Sequence, residues 1–195
     1  ELGRRSKMKV FIDSDNLTDL TQLFTIVSED VQTLVIVASP GVLTRKWCIG
    51  EMVAARLKNV DAVLLSLPSF ALPDQHFLNS FEGLIPGVQE LASYGFGSNE
   101  IMDTLQWLRT IREIRLESIT LTSFNDVVGE LVNAKIAFQN ERERTGSSST
   151  INSSNCPVLP DPEDTEAVAT AHILCTLIGS DMMRTYGALP KVLNA

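Results

Sequence analysis

The sequence predicts an α/β protein in which helices flank a small parallel sheet and a C-terminal helical segment follows a flexible linker. Between residues 9 and 67, short apolar runs alternate with helical patterns. This alternation is typical of parallel strands joined by crossover helices. The two later apolar runs have no polar face, which is expected of strands that helices cover on both sides.

The first three elements are predicted to be a strand, a helix and a strand. Residues 9–13 (KVFID) combine β-branched and aromatic residues, which favours a strand. Asp15 or Asn16 is expected to cap a helix over 17–29, where apolar residues recur at spacings of three and four. The run TLVIVAS at 33–39 then predicts a central strand.

A second helix and a third strand continue the alternation. A Ser-Pro-Gly turn at 39–41 ends the central strand, and a helix is predicted over 43–57. The apolar run at 62–68 predicts another buried strand that Pro68 stops. We expect 10–13, 33–38 and this third strand to be parallel neighbours in one sheet, with 33–38 in its interior.

The rest of the chain divides into weaker segments. Proline and glycine residues predict loops and short turns over 69–98. Apolar periodicity predicts helices over 99–116 and 124–142, and a further helix over 163–183. The domain prediction is therefore an α/β domain at 1–144, a Ser- and Asn-rich linker at 145–155, and a strand–helix segment at 156–195.

Composition excludes several function classes. The net charge of −8 argues against nonspecific nucleic-acid binding and against docking on anionic lipid. No run reaches the roughly 20 apolar residues that span a bilayer. The three cysteines, an odd number without zinc spacing, predict free thiols in an intracellular, cytoplasmic protein. His76 and His172 lie far apart in sequence, so we predict no metal site. Because the chain begins at Glu1, we expect a processed or partial product.

One segment carries a resemblance to a known family. The segment SPGVLTRKWCIGEM at 39–52 follows a buried strand and opens a helix, with Trp47, Cys48 and Glu51 in a Trp-Cys-x-x-Glu string. It resembles the signature of the Toll/interleukin-receptor (TIR) family. VFIDSDNL at 10–17 is similar to the second strand of that family, and the strand at 62–68 also fits.

The resemblance implies a TIR or flavodoxin-like fold and a candidate site. In enzymatic members the matching glutamate is the catalytic residue that cleaves the nicotinamide–ribose bond of NAD, so Glu51 is the candidate catalytic residue. NAD would be the substrate, and no cofactor is implied. Trp47 lies one helical turn earlier on the same face, where it would wall the nucleotide pocket. The structural alternatives are a solvent-facing Glu51, a packing role for Trp47 and a small buried hydrophobe at Cys48. The loop carboxylates Asp13 and Asp15 suit a cation, although helix capping is the commoner role for such a pair.

Two departures from the family pattern matter. The loop after the first predicted strand lacks the usual Gly and Pro, and the family's own first strand and helix should precede Val10, where only nine residues stand. The segment from Cys156 onward reads as strand, acidic turn and helix, and PEDTE at 162–166 resembles the turn after the first strand in plant-type members. Residues 156–183 are thus the start of a second TIR repeat, a permuted element that completes this domain, or an unrelated docking helix. In each case we expect Leu174 and Ile178 to be well buried.

These observations favour a TIR-like interaction module that acts as a signalling or scaffolding component of a larger assembly. Its expected partners are other TIR domains or subunits of that assembly, with self-association of the chain. The alternative function is an NAD glycohydrolase that uses Glu51.

Overall fold

The computed structural model describes residues 9–13, 20–29, 31–118, 120–145, 155–159, 164–177 and 184–186. Within them, helices flank a parallel sheet of six strands, which confirms the predicted α/β class. The strands are β1 (Lys9–Asp13), β2 (Thr33–Ala38), β3 (Asp61–Ser66), β4 (Arg112–Arg115), β5 (Asn155–Leu159) and β6 (Arg184–Tyr186). The helices are α1 (Leu20–Glu29), α2 (Lys46–Leu57), α3 (Gln75–Leu84), α4 (Ser98–Trp107), α5 (Leu121–Thr145) and α6 (Thr165–Leu177), with 3₁₀ turns at Val42–Thr44 and Val88–Tyr94.

The strand order is β4-β3-β2-β5-β1-β6, so β5 lies between β1 and β2. Val10 pairs with Cys156 on one side of β5, and Val35 pairs with Val158 on the other. The predicted pairing of 33–38 with 62–67 and the interior position of 33–38 are confirmed. The prediction that 10–13 is a direct neighbour of 33–38 is wrong, because β5 takes that place and satisfies the backbone groups along the edge of β2.

The strand order matches that of a known fold when β5 is counted as the first strand. The strands β1, β5, β2, β3 and β4 then read 2-1-3-4-5, which is the flavodoxin-like doubly wound order. The strand that this order requires first is therefore present, but it comes late in the chain. Of the three interpretations of the C-terminal segment, this pairing corresponds to the permuted element.

The two faces of the sheet pack against different helices. Side chains alternate along β2, so Leu34 and Ile36 face one core while Val35 and Val37 face the other. Helices α1 to α4 cover the first face. Helices α5 and α6 cover the second face, where Ala167 and Ala171 of α6 are fully buried. The side chain of Leu174 and the whole of residue 178 lie outside the described part of the chain.

Two segments differ from the sequence-based prediction. The 69–98 region, expected to form loops, contains α3, which Asp74 caps by accepting a hydrogen bond from the Phe77 backbone N–H at 2.7 Å. The helix expected over 99–116 ends at Trp107 and is followed by strand β4. This strand has a single fully buried side chain, Ile114, among charged neighbours. Such a pattern is typical of an edge strand and hides the apolar alternation that a strand prediction needs.

Candidate functional site

The candidate site lies at the carboxyl edge of the sheet. In open α/β sheets, ligands bind outside the carboxyl ends of the strands at the point where the strand order reverses. In this order that point lies between β5 and β2. Ser39 directly follows the end of β2 and is fully buried. The segments that follow β1 and β5 lie outside the described residues.

Helix α2 carries the candidate catalytic residue. A 3₁₀ turn at Val42–Thr44 connects β2 to this helix, and every residue from Cys48 to Ala55 is buried. Glu51 is 2% exposed and is the one charged side chain in the buried set of the described residues. The alternative of a solvent-facing Glu51 is therefore wrong. Burying a carboxylate opposes folding unless polar contacts compensate.

Trp47 lies at the outer end of an aromatic cluster formed by Phe24, Trp47, Tyr94 and Phe96. Its ring centroid is 6.4 Å from that of Phe24 and 6.0 Å from that of Tyr94. The Lys46 Nζ atom lies 4.7 Å above the Trp47 ring, within cation–π range. Trp47 is partly buried and packs against the core on the α1–α4 face. Its packing role is thus visible.

Both ends of α2 are tied to neighbouring elements. At the N-terminal end, Lys46 Nζ lies 2.5 Å from Glu90 Oε2. At the C-terminal end, Arg56 Nε donates to Thr104 Oγ1 at 3.0 Å, and its Nη2 lies 3.4 Å from Asp103 Oδ2. These contacts connect α2 to α4 and to the 3₁₀ turn at Val88–Tyr94.

A cavity of about 400 Å³ opens at the carboxyl ends of β3 and β4. Ser66 Oγ donates to Glu113 Oε1 at 2.8 Å, and Arg115 Nε lies 3.2 Å from the same oxygen. The Ser66 hydrogen bond, followed by the one from Arg115, holds the pKa of Glu113 below its ordinary value. Neither Glu51 nor Trp47 lines this cavity, which lies on the far side of β3 from β2. Sequence reasoning missed Glu113, because a strand at 112–115 was itself not predicted.

The other residues considered from the sequence do not gather into a site. Cys48 is buried and forms no disulfide with another described residue, while the side chains of Cys156 and Cys175 lie outside the described part of the chain. His76 is exposed and His172 is partly buried. Among the described residues, no three His, Cys, Asp or Glu side chains lie close enough to hold a metal ion. The side chain of Asp13 and the whole of Asp15 are not described.

No helix in the described part of the chain combines the length and apolar character needed to cross a membrane. Comparisons of the chain with models of protein families, with curated proteins and with solved structures found no match.

Proposed function

We propose that the chain is a TIR-like glycohydrolase that cleaves the nicotinamide–ribose bond of NAD⁺, with Glu51 as the catalytic carboxylate. The observation that carries the proposal is the burial of Glu51, on the helix that follows the strand beside the switch point. The flavodoxin-like order adds support, because β5 occupies the position that the ligand crevice of such a sheet requires. The resemblance of residues 39–52 to the TIR signature implies the reaction, which is cleavage of the nicotinamide–ribose bond.

The chemistry suits a single buried carboxylate. In the reaction, the bond between ribose C1′ and the pyridinium nitrogen breaks, and its electron pair leaves with neutral nicotinamide. Positive charge develops on the ribose, and water attacks C1′ to give ADP-ribose and a proton. A carboxylate stabilises such an oxocarbenium-like state, and low exposure strengthens the attraction. Trp47, one turn before Glu51, would form a wall of the same site.

The test is nicotinamide release from NAD⁺, measured by chromatography for the wild-type chain and for Glu51→Gln. Loss of a single electrostatic stabiliser lowers turnover by about 10²–10³-fold, and we expect Glu51→Gln to lose at least that much. Glu130→Gln is the matched control, because Glu130 is an exposed glutamate on α5, which packs on the opposite face of the sheet. Equal release by the wild-type chain and Glu51→Gln would contradict the assignment.

The same burial also favours a second candidate, an interaction module that scaffolds a larger assembly. At 2% exposure in the single chain, Glu51 offers little surface to a substrate. A chain that binds other TIR domains or subunits without catalysis is consistent with that geometry. Light scattering across a concentration series measures self-association, and purification of the native assembly measures subunit stoichiometry. Stoichiometric assembly of a chain that releases no nicotinamide in its assembled state would select this function over hydrolysis.

A further inference from the structure

Ser39 combines two properties that rarely occur together in a folded protein. Its side chain is fully buried, and among the described residues its Oγ atom has no hydrogen-bond partner. Buried polar atoms nearly always have a hydrogen-bond partner, so a buried polar atom without one requires an explanation. Packing does not explain the hydroxyl either, because the smaller alanine side chain would fit at this position without burying an unpaired oxygen.

The location of Ser39 points to a ligand. The residue directly follows β2 at the carboxyl edge, next to the switch point with β5. Ser66 ends the neighbouring strand β3 at almost the same level, since it pairs with Ala38. The Ser66 hydroxyl donates within the protein, to Glu113. At these two adjacent strand ends, the Ser66 hydroxyl therefore has a hydrogen-bond partner within the described part of the chain and the Ser39 hydroxyl has none.

We propose that Ser39 Oγ is a substrate-binding group that hydrogen-bonds the nicotinamide–ribose half of NAD⁺ at the carboxyl edge of the sheet. The proposal rests on the proposed function for the identity of the substrate. A hydroxyl both donates and accepts, so it matches the ribose hydroxyls and the carboxamide of that half.

The proposal predicts that removing the Ser39 hydroxyl weakens NAD⁺ binding without lowering the stability of the ligand-free fold. Removing a buried hydroxyl that has no partner does not weaken the ligand-free fold and can stabilise it. Removing a hydroxyl that pairs with a ligand weakens binding, by about 3- to 10-fold for a neutral hydrogen bond. A purely structural serine would not separate the two measurements in this way.

The experiment measures NAD⁺ binding by calorimetry on the full chain with Glu51→Gln, which prevents turnover. The second site is then changed to Ser39→Ala or to Ser66→Ala, and thermal melting is recorded for each variant without ligand. For Ser39→Ala we expect an unchanged or higher melting temperature and 3- to 10-fold weaker binding of NAD⁺ and of nicotinamide mononucleotide. For Ser66→Ala, the matched control, we expect a lower melting temperature and unchanged binding, because its hydroxyl supports Glu113.

The outcomes separate this inference from the proposed function. Unchanged NAD⁺ binding by Ser39→Ala overturns the role of Ser39 and leaves the substrate intact. A lower melting temperature for Ser39→Ala also overturns it, since the hydroxyl would then be used within the fold. Binding without cleavage by the wild-type chain overturns the proposed reaction, while Ser39 is still judged by affinity. No binding of NAD⁺ to either the wild-type chain or Glu51→Gln overturns both.

Discussion

A Cβ atom on Gly50 would lie 2.5 Å from Cζ of Phe24, closer than real Cβ contacts come. Gly50 is buried within α2, next to Glu51, and Phe24 is the α1 member of the aromatic cluster. The missing side chain thus allows α1 and α2 to approach closely. The centroid of the Phe24 ring lies 5.0 Å from that of Phe96 and 5.3 Å from that of Tyr94.

Gly50→Ala is expected to destabilise the chain by about 1–3 kcal/mol, because the new methyl group forces the Phe24 ring to shift in a packed core. The sign is informative, since alanine is ordinarily the better helix former by about 1 kcal/mol. Gly129→Ala on α5 is the control, because nothing lies within 4 Å of its Cβ position. Denaturant unfolding should show a loss for the first variant and a gain for the second. A gain for both would mean that Phe24 moves aside easily.

Trp47→Ala is expected to cost about 2–4 kcal/mol of unfolding free energy, measured by the same unfolding curves. Fully buried Trp→Ala changes cost about 3–5 kcal/mol, and Trp47 is partly exposed. Trp47→Phe keeps a ring beside Phe24 and Tyr94 and should lose less. If Trp47→Ala has the same free energy of unfolding as the wild-type chain, packing of Trp47 in the aromatic cluster does not stabilise the fold.

Glu113 makes stability depend on pH in the acid range. Its folded pKa lies below the ordinary value of 4.5, chiefly because Ser66 donates a hydrogen bond to the carboxylate. A group with a lowered folded pKa stabilises the fold above 4.5, and this contribution disappears as the pH falls through the lowered pKa.

Carboxyl NMR titration of Glu113 should therefore give a midpoint below 4.5, and Ser66→Ala should raise that midpoint. Thermal melts on the acid side should fall more steeply for the wild-type chain than for Glu113→Gln. A midpoint at 4.5 in the wild-type chain would rule out the hydrogen bond in solution.

Deleting residues 146–195 is expected to abolish cooperative folding of the remaining chain. In the described sheet β1 is connected to β2 through β5 alone, so the deletion separates the sheet and uncovers the buried face of β2 under α6. Circular dichroism melts and hydrogen exchange at β2 measure the loss. As a control, a protease site inserted within 146–154 leaves every strand present, and the cut fragments should co-elute on gel filtration. A deletion variant that still folds would instead indicate that the C-terminal segment docks elsewhere.

Local patterns in the sequence were enough to predict part of this fold. The alternation of strands and helices from β2 to β3 was predictable, because strands buried on both faces are continuous apolar runs. The helical position of Glu51 and Trp47 followed from the same patterns. The short strand β4 was not predicted from the sequence, because its single buried residue, Ile114, gives no apolar alternation.

Only the tertiary structure decided that β5 separates β1 from β2 and which polar groups are buried. The insertion of β5 between β1 and β2 joins segments far apart in sequence, and strand pairing over such a separation leaves no local pattern. The burial of Glu51 and Ser39 depends on what covers α2 and the end of β2, and a polar residue at either position looks the same in the sequence whether it is covered or exposed. Helical and strand periods are local properties of the chain, whereas the burial of a residue depends on which distant segments pack against it.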